Sequence, residues 1–128
     1  MKVSLDKVIE KIVALGVPGL VLVIVIATTG LAGGAAIVAA LATLGGPFGM
    51  LGGLAVLGLL VLISDAIAEY GAVAVANRVV EGLIKKGMTK EEIIRKIDSY
   101  WWVSDNLKGK LKEYVRNYPP NKDSGTEN

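Results

Sequence analysis

Residues 12–64 read IVALGVPGLVLVIVIATTGLAGGAAIVAALATLGGPFGMLGGLAVLGLLVLIS, and between Lys11 and Asp65 there is no Lys, Arg, Asp or Glu. A chain leaves out charge for that long only where ionised groups are expensive to place. Two environments meet that condition: the interior of a bilayer, and the shared core of a helix bundle. Which of them surrounds this stretch decides the fold, and the remaining residues bear on the choice.

Carried as one helix, Val17 to Leu44 would run ~42 Å at about 1.5 Å per residue, longer than the ~30 Å hydrocarbon core of a bilayer. Two β-branched residues followed by glycine weaken a helix, so Thr28-Thr29-Gly30 is the expected bend or break. Gly45-Gly46-Pro47 is the strongest turn signal in the stretch. From there Gly46 to Ser64 would span ~28 Å as a helix, close to one bilayer crossing. The expected fold class is all-α: a hydrophobic helical hairpin of transmembrane character continues into an amphipathic helix, and a small C-terminal αα-hairpin follows.

All of the charge lies on the flanks. The chain of 128 residues has 14 Lys and Arg against 12 Asp and Glu, a net charge of +2, so it lacks the concentrated basic surface of a nucleic-acid binder. Mean hydropathy of +0.53 with 52% hydrophobic residues lies above ordinary globular composition. Cysteine and histidine are both absent, which removes disulfides, thiolate zinc sites, thiol nucleophiles, Ser-His-Asp triads and imidazole ligands together. The sequence GGPFGMLGG lacks the Gly-Lys-Ser/Thr ending of a P-loop, and no strand precedes it. No enzyme, cofactor or metal is expected.

Ser4 is a plausible cap for a short amphipathic helix carrying Leu5, Val8, Ile9 and Ile12, ended by Gly16. Asp6 and Glu10 argue against a signal peptide. Beyond Ser64, the residues Asp65, Glu69, Asn77, Glu81 and Lys85 recur four apart as one polar stripe on a helix that Gly87 stops. Thr89-Lys-Glu-Glu92 matches a capping box, and Ser104 caps the helix after it. Its apolar side carries Leu107, Leu111, Tyr114, Val115 and Tyr118. Four regions result: residues 1–16, the hairpin with its long second helix over 17–86, the C-terminal hairpin over 87–118, and a polar tail over 119–128 expected to be disordered.

Small residues recur four apart along the hairpin, at Gly45, Gly49 and Gly53, at Gly30 and Gly34, and at Ala32, Ala36 and Ala40. That spacing places them on one helix face, where another backbone can approach closely. Over about residues 28–58 the chain resembles the glycine-zipper hairpins of small membrane-associated and membrane-permeabilising proteins. The resemblance implies a hairpin that inserts and self-associates. Packing of the two hairpin helices on each other, rather than on another subunit, uses the same residues. Gly49→Leu or Gly53→Leu is expected to disrupt this packing, and Gly82→Leu to do far less.

Asp65 reads as the water boundary at the end of the apolar helix. Tyr70, Trp101 and Trp102 suit a membrane interface, although the two tryptophans would equally fill a core between the last two helices. The expected function is a small integral membrane protein, both termini cytoplasmic, forming homo-oligomers; its sharper form permeabilises the bilayer or forms a pore. Lipid and a protein bound by the C-terminal hairpin are the expected partners, with no nucleic acid. The competing expectation is a soluble α-helical interaction module whose apolar hairpin is buried in a bundle or oligomer.

Overall fold

The computed structural model describes residues 4–43 and 53–119, and all regular structure among them is helical. Seven helices follow in order: α1 (Leu5–Ala14), α2 (Val17–Thr29), α3 (Leu31–Thr43), α4 (Gly53–Tyr70), α5 (Ala72–Lys85), α6 (Lys90–Ser99) and α7 (Asp105–Arg116). The expected hairpin tip at Gly45-Gly46-Pro47 and the polar tail beyond Pro119 lie outside the described residues.

Local chemistry sets most boundaries. Ser4 stands in extended backbone before α1 without a side-chain capping bond. Gly16 turns the chain at φ +78°, and Pro18 sits in the first turn of α2. The corner is tight: a β-carbon on Gly19 would lie 2.2 Å from the Ile12 carbonyl oxygen. At the far end of α2 the Thr28 and Thr29 hydroxyls donate to the carbonyls of Ile24 (2.9 Å) and Val25 (2.7 Å), competing with the regular ladder. Gly30 then breaks the helix at φ +88°, where the sequence places the break. Gly87, at φ +106°, closes α5 in a Schellman motif: Gly87 N–H donates to Ile84 and Met88 N–H to Leu83. The Thr89–Glu92 capping box forms in both directions, and Ser104 accepts from the Leu107 N–H.

One expected continuity fails. The sequence reads as a single helix from the apolar stretch through Lys86, but Gly71 adopts φ +93° and turns α5 by 119° from α4. The polar stripe is therefore divided. Asp65 and Glu69 stay on α4, whereas Asn77, Glu81 and Lys85 stand on α5, with Glu81 and Lys85 paired at 3.5 Å. The bend is what folds the amphipathic helix back over the apolar one.

At the centre of the molecule is α2. It packs against each of the other six helices. Val17 and every residue from Gly19 to Ile26 are buried, which is why this helix is apolar all round. The covering helices are amphipathic and turn inward Val8, Ile12 and Val13 of α1, Val75, Val79 and Leu83 of α5, Ile93 and Ile97 of α6, and Leu111 and Val115 of α7. The C-terminal hairpin thus shares one core with the rest of the chain. No polar or charged side chain is buried among the described residues. Charges meet only at the surface, where Arg78 pairs with Asp6 to join α5 to α1, and Lys112 pairs with Asp98 at 2.8 Å to join α7 to α6. Exposed pairs of this kind contribute about 1 kcal/mol or less each, so apolar burial holds the bundle.

Candidate functional site

Among the described residues, α3 and α4 leave much of the apolar stretch uncovered. On α3 the inward row is Gly34, Ile37, Val38 and Leu41, spaced as one helical face, while Leu31, Ala32, Ala35, Ala36, Ala39 and Ala42 face outward. On α4, Leu59, Leu60, Ile63 and Ala66 are buried, and Leu57, Gly58 and Val61 are exposed. Leu31 is 40% exposed, Leu57 55% and Val61 47%. Each helix thus presents alanine and aliphatic residues outward, and the sequence carries no charge there until Asp65, one turn beyond Val61.

The expected packing residues divide into distinct roles. Gly34 is buried at the junction of three helices: a β-carbon there would lie 2.8 Å from Ile26 Cγ1 and 3.3 Å from Leu60 Cδ2. It lets α2, α3 and α4 meet within one chain. Gly30 serves the backbone break, with open space where a side chain would go. Ala36 is exposed and Ala40 half-buried, so both remain on or beside the open face. Gly53 begins α4, and Gly45 and Gly49 lie outside the described residues. Gly82, expected to matter far less to hairpin packing than Gly49 or Gly53, is a close-contact site of another kind, against Val13 of α1. That contact joins residues far apart in the chain, and local spacing gives no sign of it.

Of the expected interface residues, Asp65 is exposed near the middle of α4. Tyr70 is partly exposed at its end, and its phenol pKa is raised by desolvation and by the Glu69 carboxylate beside it. The two tryptophans separate. Trp102 is half-buried and stacks on Tyr100, ring centroids 4.8 Å apart, while Trp101 is 76% exposed. Burial also raises the Tyr100 phenol pKa. Trp102 lines one cleft together with Gly33 and Ile37 of α3, which puts the α6–α7 turn beside α3.

The chain matches no protein-family model, no curated protein and no solved structure. Among the described residues no single helix is long and apolar enough to cross a membrane, and no group of three acidic residues is placed to hold a metal ion. The α3 helix and the apolar part of α4 from Gly53 to Ser64 each reach ~20 Å at about 1.5 Å per residue. That is less than a ~30 Å bilayer core and more than one leaflet of it.

The outward residues Leu31, Leu57 and Val61 were not singled out in the sequence. On a helix whose every residue is apolar, the hydrophobic pattern cannot distinguish the inward row from the outward one.

Proposed function

We propose that the protein is a membrane-associated helical bundle that seats the outward face of α3 and α4 in one leaflet, its amphipathic helices remaining at the cytoplasmic surface. The observation that carries this reading is the uncharged, exposed face bearing Leu31, Leu57 and Val61, which ends at Asp65. Helices of ~20 Å are too short for a ~30 Å bilayer core and reach a single leaflet when tilted, and a hairpin that enters and leaves by the same surface keeps both termini on one side. Exposed Trp101, on the turn beside α3, suits the headgroup level. The alanine row offers a flat surface on which a second copy can pack once inserted, so a homo-oligomer in lipid follows from the same face.

The enclosure of α2 favours a second reading. A bundle that shelters its most apolar helix with its own polar ones is built to be stable in water. In that case the same face binds a protein partner or another copy. Vesicle flotation separates the two. The full chain should float with phospholipid vesicles, and Leu57→Glu and Val61→Glu should each lower the bound fraction at least tenfold while leaving far-UV circular dichroism unchanged. A chain that stays at the bottom of the gradient as a monodisperse particle, with vesicles of either zwitterionic or anionic lipid, supports the soluble module.

A further inference from the structure

Two adjoining clefts follow the last two turns of α2. The larger, of about 790 Å³, has Ile24, Ala27 and Val73 as apolar lining, with Asn77 and Tyr114 beside them. Val73 is 59% exposed, so its side chain is available to an occupant. The smaller, of about 500 Å³, is lined by Val25, Ile37, Trp102 and Leu107. Both volumes fall within the range of small-molecule sites.

Thr28 and Lys110 line both clefts, which border one another across these two side chains; the larger is the deeper trough by volume. The Thr28 hydroxyl donates to the Ile24 carbonyl and is already satisfied. Lys110 differs from its neighbour Lys112, whose ammonium pairs with Asp98 at 2.8 Å. No described residue pairs with the Lys110 ammonium. The other charged residues along the trough, Glu113 and Arg116, are opposite in sign, which leaves Lys110 as its net charge. The Asn77 amide and the Tyr114 hydroxyl also have no hydrogen-bond partner among the described residues.

We propose that the larger trough binds a single-chain amphiphile with an anionic head, of the free fatty acid class, with the head on Lys110 and the chain against Ala27 and Val73, above the buried Ile24. An apolar lining alone would accept any hydrocarbon. One unpaired, exposed cation at its edge selects a chain that ends in an anion, and Asn77 and Tyr114 supply donors for the remaining oxygen lone pairs.

The test is a titration of the full chain in detergent-free buffer with oleate, below the concentration at which oleate self-associates, followed by tryptophan emission and calorimetry. Saturable binding near one oleate per chain is expected, with oleyl alcohol at least tenfold weaker. Lys110→Gln should bring oleate down to the affinity of the alcohol. Lys96→Gln, on α6 and lining neither cleft, should leave it unchanged, and Ala27→Phe should weaken both ligands by narrowing the trough. Equal affinities for acid and alcohol, an unchanged affinity in Lys110→Gln, or uptake that does not saturate would each overturn the assignment. Competition by inorganic phosphate alone at comparable concentration would also overturn it, by showing a simple anion site. No vesicle is present, so the result is independent of whether the α3–α4 face enters a bilayer.

Discussion

A β-carbon on Gly82 would stand 2.6 Å from Val13 Cγ2, closer than side-chain carbons pack. Valine is stiff at χ1, so Val13 has little freedom to turn away. Gly82→Leu should therefore destabilise the fold by about 2 kcal/mol or more, within the range for overpacked sites. Gly109 is the useful contrast. It lies inside α7, and a side chain there would meet nothing within 4 Å. Gly109→Ala should stabilise by about 0.5–1 kcal/mol through helix propensity and a restricted unfolded chain. Urea denaturation of the two variants checks both signs. Two glycines in comparable helical positions would then differ only in what faces them.

At the scale of elements, the ends of helices were legible in the sequence because they are matters of local chemistry. Gly16, Gly30 and Gly87 turn the backbone, and Thr89 and Ser104 bond to N–H groups three residues on, whatever surrounds them. Gly71 was not legible. A lone glycine in a helical pattern is usually tolerated, and its positive φ here goes with α5 packing back on α1, α2 and α4, which are distant contacts. The α6–α7 hairpin carries a pH dependence that follows from the same local bonds. The Glu92 carboxyl is held below its ordinary pKa chiefly by the bond from the Thr89 backbone N–H, and Asp98 chiefly by the bond from Lys112. A depressed carboxyl stabilises the folded state above the ordinary pKa of about 4 and loses that contribution as pH falls through the lower, folded value. Melting temperature should accordingly drop between about pH 5 and pH 2. Near-UV circular dichroism of the Tyr100–Trp102 stack offers a local signal for it. Glu92→Gln and Asp98→Asn should each lower the melting temperature at neutral pH and flatten its acid dependence; an unaltered slope in both would remove these carboxylates from the stability of the hairpin.

For the whole molecule, the question left open by residues 12–64 is divided rather than answered one way. An all-apolar helix satisfies bilayer and bundle interior alike, so its sequence does not reveal its neighbours. Its amphipathic neighbours come from residues 5–14 and 72–116, whose faces are individually ordinary, and Gly71 redirects the chain ahead of the second group. The candidate surface was legible as a region, since the absence of charge marks it, but not as a face. The division has a direct chemical consequence, and the absence of native cysteine makes it measurable. Leu22 on α2 is fully buried, whereas Val61 on α4 is 47% exposed. In plain buffer a charged maleimide should modify Val61→Cys readily and Leu22→Cys only at the rate of global unfolding. Adding phospholipid vesicles should shield Val61→Cys and leave Leu22→Cys as protected as before, because a surface that docks need not open the core behind it. Rapid modification of Leu22→Cys in buffer would mean that α2 is not enclosed by its own chain, and the bundle would then lose the burial that stabilises it. Unchanged labelling of Val61→Cys with vesicles, despite a protected Leu22→Cys, would instead remove lipid as the occupant of the outward face.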